Sequence, residues 1–217
     1  MVDRHLSFPF QLVCFTDDAR GIDERITVCD LPPLDLPAGA PERGWNKLTA
    51  LQADLGGLQG DALFLDLDVV IVDQIDDFFT YPAEFAIIPD ARLRHRMIGN
   101  SSVYRFKIGK YDDVLQRFRR DFAHIRRQYR NEQAYLSAEI HKRGELSFWP
   151  DAWCPSFKHD CMPSWPLTYF RDTSIPNGAK IVVFHGHPKP PEAIAGVSRK
   201  WYRPVRPTAW VAAHWRD

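Results

Sequence analysis

The segment ALFLDLDVVIV, at positions 62 to 72, restricts the possible folds more than any other part of the sequence. It consists of two apolar runs of strand length, separated by Asp66, Leu67 and Asp68. Each run is too short for a helix, which predicts two buried strands. The two carboxylates therefore stand at the end of one strand and before the next. Because ligands of open α/β sheets bind outside the strand ends, we expect a functional site here.

Other short apolar runs alternate with segments of helical pattern along the chain. This alternation predicts an α/β fold with a mixed, mostly parallel central sheet flanked by helices. With 217 residues, 45% of them hydrophobic, the chain can bury one sizeable core, so we expect a single domain over residues 1–217. Predicted strands span residues 10–15, 26–29, 62–65, 69–72, 85–88, 102–106 and 181–184, and predicted helices span residues 45–55, 111–130 and 132–143.

The region from about residue 149 to residue 180 is rich in proline and aromatic residues and shows no regular period. Long segments of this kind in a compact domain are either functional or disordered, and the aromatic content argues against disorder. We predict an ordered loop region that lies over the sheet.

Charge and hydropathy exclude several classes of partner. Lysine and arginine together number 28, as do aspartate and glutamate, so no basic field attracts nucleic acid. The sequence has no run of about eighteen apolar residues that would span a membrane, and MVDRHLSFPF lacks the apolar core of a signal peptide. We expect a cytoplasmic protein with no transmembrane segment that binds no nucleic acid.

The aspartate pair has the chemistry of a cation site. In an extended backbone, Asp66 and Asp68 project to the same side. Two close carboxylates raise each other's proton affinity unless a cation lies between them. Oxygen ligands suit Mg²⁺ or Mn²⁺, which often keep substrate phosphates in their shell, so the pair favours a metal-bound diphosphate. Two alternatives stay open: a pair of capping or solvated residues, and the opening motif of haloacid-dehalogenase-like phosphatases, with Asp66 as nucleophile.

A second strand end carries complementary groups. The segment KIVVFHGHPKP, residues 180 to 190, leads from an apolar strand into His185, Gly186 and Lys189. A neutral imidazole can bind a metal, a glycine lets the main chain approach a phosphate, and a lysine adds positive charge. These groups together would form a clamp for a diphosphate.

Four segments, DLD at 66–68, NSSV at 100–103, NEQ at 131–133 and FHGHPKP at 184–190, resemble the retaining glycosyltransferases of family 8, the glycogenin and lipopolysaccharide galactosyltransferase group. The resemblance covers most of the chain in the family's order. It implies a GT-A fold, a nucleotide-sugar donor that is usually UDP-linked, and a role in lipopolysaccharide or polysaccharide biosynthesis. It also implies Mn²⁺ held by Asp66, Asp68 and His185, with Lys189 in contact with the donor phosphate and Gly186 beside it.

The same resemblance implies further donor contacts. Lys47, in the segment GWNKL, matches a lysine that touches the donor. Asn100 matches the asparagine of an N-A-G-V-like segment that approaches the donor sugar, and two serines at 101–102 replace the family's Ala-Gly. Glu132 and Gln133 take the place of an Asp-Gln pair beside the transferred sugar, and the carboxylate here is one methylene longer. Asn100, Glu132 and Gln133 are therefore the catalytic candidates.

Two features depart from the family pattern. The family spells its histidine motif H-x-x-G-x-x-K-P, whereas here Gly186 follows His185 directly. Family members also open with a strand whose end holds the nucleotide base, whereas this chain starts at a segment that resembles the helix after that strand. We expect the second departure to affect nucleotide affinity more than metal binding.

The sequence therefore predicts a metal-dependent transfer of a hexose from a UDP-linked or other nucleotide sugar, with retention, to a hydroxyl of a carbohydrate or lipid-linked acceptor. Trp149, Trp153 and Trp165 are candidates for stacking on an acceptor sugar. A catalytically impaired GT-A-like binding or scaffold protein is the alternative from another class, and the dehalogenase-like phosphatase is the third.

Overall fold

The computed structural model describes residues 1–37, 39–40, 43–90, 97–202 and 204–215. The strands are β1 Val13–Thr16, β2 Thr27–Asp30, β3 Asp61–Leu65, β4 Val69–Ile71, β5 Phe85–Pro89, β6 Gly99–Lys107, β7 Leu146–Phe148 and β8 Ile181–Val183. The α-helices are α1 Val2–His5, α2 Asp77–Thr80, α3 Asp112–Gln128, α4 Glu132–Lys142, α5 Pro190–Ala195 and α6 Ala209–His214. Two 3₁₀ helices, Arg43–Leu51 and Leu167–Tyr169, and a π-helical turn, Phe157–Cys161, lie between them.

The central sheet has four strands in the order β3-β6-β5-β7. β6 is antiparallel to both of its neighbours, so that Tyr104 lies opposite Phe64 of β3 and Ile87 of β5, whereas β5 and β7 are parallel. Two further pairs form beside this sheet: β4 with β8, antiparallel, and β1 with β2, parallel. The predicted mixed α/β fold with helices beside a central sheet is confirmed.

The pairing directions correct the expectation of a mostly parallel sheet. Among the described residues, three of the five strand pairings are antiparallel. The connection from β5 to β6 is shorter than the dozen or so residues that a parallel crossover needs, so β6 returns alongside β5 in the opposite direction.

Helices and side chains cover both faces of the central sheet. On one face, Tyr104 and Phe106 of β6 pack with Trp45, Phe118 and Tyr135, which come from the 3₁₀ helix 43–51, α3 and α4. The face of α3 that carries Val114, Leu115, Phe118 and Ile125 is buried in this cluster. On the other face, Val103 of β6 forms a second cluster with buried side chains from β4, α2 and the segment after β7: Val69, Ile71, Phe78 and Trp149. Within the described ranges, no helix is both long and apolar enough to cross a membrane.

The segment from residue 149 to residue 180 contains the turns at Phe157–Cys161 and Leu167–Tyr169 and is otherwise irregular. Phe157 and Cys161 anchor it, because both side chains are buried in a cluster with Val182 of β8. The region therefore packs against the fold through its apolar side chains.

Candidate active site

The two aspartates lie at the junction of two sheets. β3 ends at Leu65, but its pairing with β6 continues one residue further, because the Asp66 N–H donates to the carbonyl of Ser102 at 2.9 Å. On the other side, the Asp68 carbonyl accepts a hydrogen bond of 3.1 Å from the Phe184 N–H, next to the β4–β8 pair. Leu67, between the aspartates, is 91% exposed. Hydrogen bonds to two different sheets therefore fix the main chain of both aspartates.

Lys47 holds the first carboxylate. Its ammonium group lies 2.7 Å from each oxygen of Asp66. The 3₁₀ helix Arg43–Leu51 delivers this lysine, because the buried side chains of Trp45 and Leu48 anchor the helix against the central sheet. Both charged groups are partly buried, so water screens their attraction less than it would at the surface.

Lys189 holds the second carboxylate through a direct contact between its ammonium group and Asp68 Oδ2. The lysine is the N-cap of α5, and its own N–H donates to Glu192 Oε2 at 2.9 Å. Gly186 provides the turn between β8 and α5, with a left-handed φ of +69° that favours glycine. The end of β8, the turn at Gly186 and the start of α5 together place the Lys189 ammonium group against Asp68.

His185 is half-buried next to Phe184, whose N–H contacts the Asp68 carbonyl. Burial lowers the pKa of the His185 imidazole below its usual range; His159 adds to the lowering, whereas Asp68, Asp90 and Asp66 oppose it. The imidazole therefore lies within electrostatic reach of both carboxylates. At neutral pH it is uncharged, which is the form that binds metals.

The donor set of two carboxylates and one neutral imidazole suits Mn²⁺ or Mg²⁺ by its chemistry. As the described side chains stand, no three histidine, cysteine, aspartate or glutamate residues are gathered closely enough to hold a metal ion. Asp66 and Asp68 are each paired with a lysine instead.

The catalytic candidates Asn100, Glu132 and Gln133 lie on β6 and in the first turn of α4. Glu132, in the first turn of α4, is 8% exposed and accepts a hydrogen bond of 2.6 Å from the Ser101 hydroxyl. The Asn100 side chain bonds to the main chain of its own strand, because its Oδ1 accepts from the Ser102 N–H at 2.9 Å. Gln133 is half-buried, and its main-chain carbonyl accepts from a serine hydroxyl one turn further along α4. The Glu132 side chain is thus joined to Ser101, whose carbonyl faces Lys47, and the Asn100 side chain is joined to Ser102, whose carbonyl accepts from the Asp66 N–H.

A cleft of about 530 Å³ opens over the aspartate pair. Its lining consists of Asp66, Leu67, Asp68, Lys189, Pro190, Pro191 and Trp215. Sequence reasoning missed Trp215, which carries no motif, and Glu192. The signal for Glu192 was a capping pattern in which an acid follows the N-cap Lys189 by three positions, behind two prolines.

The three tryptophans suggested for acceptor stacking have different surroundings. Trp149 is 1% exposed and packs edge-on against Phe78, so it belongs to the core. Trp153 is half-buried and packs against the same phenylalanine. Trp165 is 65% exposed and keeps a free ring surface. Of these three rings, that of Trp165 is therefore the most exposed to solvent.

No family model and no curated protein matches the chain. Among solved structures, it is similar to the galactosyltransferase LgtC in complex with donor and acceptor sugar analogues, with a TM-score of 0.52 and 17% identity over 79% of this chain and 70% of that chain. It also matches the apo form of mouse xyloside xylosyltransferase 1, with a TM-score of 0.43 and 15% identity over 75% of each chain. At this level of identity the first similarity concerns the fold, and it confirms the predicted GT-A-like fold.

Proposed function

We propose that this chain is a metal-dependent glycosyltransferase of the retaining family 8 type. It would move a hexose from a nucleotide-diphosphate sugar, of the UDP-linked class, to a hydroxyl of a carbohydrate or lipid-linked acceptor. The observation that carries the proposal is the pairing of Asp66 with Lys47 and of Asp68 with Lys189 where two sheets meet. In a GT-A-like fold, this places two acids and two cations at one strand end.

Binding of a diphosphate would let each lysine exchange its carboxylate partner for a phosphate oxygen. A diphosphate brings several negative charges, and the ammonium groups of Lys47 and Lys189 can turn from the carboxylates to its oxygens. Asp66 and Asp68 are then left to bind a cation together with the neutral imidazole of His185. Mn²⁺ or Mg²⁺ held by these three residues would act as a Lewis acid that offsets charge on the departing diphosphate.

The sugar-side residues complete the proposal. Glu132 is a nearly buried acid beside Ser101, where it can orient a hydroxyl of the donor sugar; Gln133 follows Glu132 in the sequence, and Asn100 precedes Ser101. Stabilisation of the leaving group by preorganised cations supplies most of the acceleration in our account. The acceptor hydroxyl can then attack from the face that the diphosphate leaves, without a dedicated strong base.

Hydrolysis of nucleotide sugars tests the proposal. Purified protein is incubated with Mn²⁺ and a panel of UDP-, GDP- and ADP-hexoses, and the released nucleotide is measured. We expect slow release from at least one donor, abolished by EDTA and by Asp68→Asn but not by Lys142→Met, which removes a lysine that pairs with Glu139 on α4. No release from any donor, with no binding of UDP, would favour the scaffold alternative. Release of phosphate from small phosphate esters, lost in Asp66→Asn, would favour the phosphatase.

A further inference from the structure

Ser101 connects the two halves of the candidate site. It lies on β6 and is 2% exposed. Its hydroxyl donates to Glu132 Oε1 at 2.6 Å, and its carbonyl lies 3.5 Å from the Lys47 ammonium group. Because Lys47 also contacts both oxygens of Asp66, one polar chain runs from Asp66 through Lys47 and Ser101 to Glu132.

Gly44 lies against the other oxygen of the Glu132 carboxylate. A Cβ atom built on Gly44 would lie 3.3 Å from Glu132 Oε2 and 3.7 Å from its carboxyl carbon. Gly44 belongs to the same 3₁₀ helix as Lys47. At the start of α4, Asn131 accepts a hydrogen bond of 3.2 Å from the Ala134 N–H, which fixes the first turn and thus the origin of the Glu132 side chain. The carboxylate therefore sits between a hydroxyl group and a bare main chain.

A buried acid held in this way does not serve stability. Among the described residues, the Ser101 hydroxyl is the hydrogen-bond donor to the Glu132 carboxylate. Burying a carboxylate costs free energy that one neutral donor recovers only in part, and an apolar pair of similar volume would pack at least as well. Strongly enclosed acids of this kind are typical of sites where a ligand supplies the remaining partner.

We propose that Ser101 is a positioning residue, whose hydroxyl aims the Glu132 carboxylate at the donor sugar while its carbonyl orients Lys47. This inference rests on the proposed function. It assigns to the Ser101–Glu132–Gly44 arrangement the task of presenting a fixed carboxylate oxygen to a sugar hydroxyl during transfer. Ser101 itself needs no contact with the sugar.

A double-mutant cycle on donor hydrolysis tests the inference. We expect Ser101→Ala to lower kcat about tenfold, the effect of one lost charge-assisted hydrogen bond, with little change in the KM of the donor. In a Glu132→Ala background, the same serine substitution should change kcat by less than about twofold, because nothing is left to position. The matched control is Thr49→Val, which removes another buried hydroxyl, bonded to the Asn46 carbonyl in the same 3₁₀ helix, and should leave kcat unchanged.

Gly44→Ala reaches the carboxylate from the other side and keeps the test valid if Ser101→Ala folds poorly. Gly44→Ala should lower kcat in the wild-type background and should leave kcat unchanged in a Glu132→Ala background. Suppose that wild-type protein turns over a donor but the fold-changes in kcat of Ser101→Ala and Glu132→Ala multiply in the double variant. Ser101 then does not act through Glu132, which contradicts the inference and leaves the proposed function standing. If wild-type protein neither binds UDP nor turns over any donor, the proposed function falls first and the inference with it.

Discussion

The ammonium group of Lys189 contacts the carboxylate of Asp68, although the two residues lie 121 positions apart in the chain. The lysine side chain is 42% exposed and the aspartate 26%. Ion pairs with this much solvent contact add little to stability, typically less than about 1 kcal/mol. The pair therefore matters more for what it can bind than for holding β8 and β4 together.

Replacing Lys189 tests this distinction. Lys189→Met should lower kcat/KM for donor hydrolysis about a hundredfold, because a preorganised cation near the leaving group is lost. It should change the free energy of unfolding by less than about 1 kcal/mol. Steady-state kinetics and urea unfolding measure the two effects. A variant that loses stability but keeps its kinetics would assign Lys189 a structural role.

Trp149 and Trp201 should behave in opposite ways. Trp149 is 1% exposed, donates from Nε1 to the Val103 carbonyl at 3.2 Å and packs against Phe78 and Tyr81. Trp149→Ala should destabilise the fold by about 3–5 kcal/mol. Trp201 is 80% exposed, and its replacement by alanine should change stability by less than about 0.5 kcal/mol. Urea unfolding followed by circular dichroism compares them, and similar losses in both variants would contradict the placement of Trp149 in the core.

Glu192 should make stability depend on acid pH. Contacts with the His187 ring nitrogen, the Lys189 N–H and Arg199 lower the pKa of Glu192 to about 2. Because the folded pKa lies below the unfolded value near 4.5, this carboxylate stabilises the fold fully above pH 4.5. The contribution is lost as the pH falls toward 2.

The measurement compares the unfolding free energies of wild-type protein and Glu192→Gln across this pH range. The difference between them should be largest near neutral pH and should shrink steadily below about pH 4.5. A difference that stays constant down to pH 2 would show that the ionised carboxylate makes no contribution to the start of α5.

The sequence predicted the elements that carry strong local patterns. The strands predicted over residues 62–65 and 69–72 correspond to β3, Asp61–Leu65, and β4, Val69–Ile71, because each is an apolar run bounded by polar residues. β7 was missed, because three residues give no period, and so was α5, whose signal is a capping pattern. The segment predicted as a helix over residues 45–55 is a 3₁₀ helix ending at Leu51. Tertiary packing of Trp45 and Leu48 decides that geometry, and propensity does not reveal it.

The residues of the candidate site could be predicted from the sequence, but the ion pairs between them could not. A DxD motif at a strand end identifies Asp66 and Asp68 as candidates, yet the lysine that each aspartate contacts depends on how distant segments meet. The core position of Trp149 needed coordinates, because a tryptophan in a proline-rich segment has no pattern that separates packing in the core from stacking at the surface. Ser101 was visible only as a departure from a family pattern, and its bond to Glu132 required coordinates.

Calorimetric titration of UDP into the protein, with and without Mn²⁺, tests the central claim most directly. If Asp66, Asp68 and His185 hold a cation that bridges to the diphosphate, Mn²⁺ should tighten UDP binding by at least about tenfold, equivalent to about 1.4 kcal/mol. Asp68→Asn should remove that gain. Equal affinity for UDP in the presence and absence of Mn²⁺, or a gain that survives Asp68→Asn, would contradict the account.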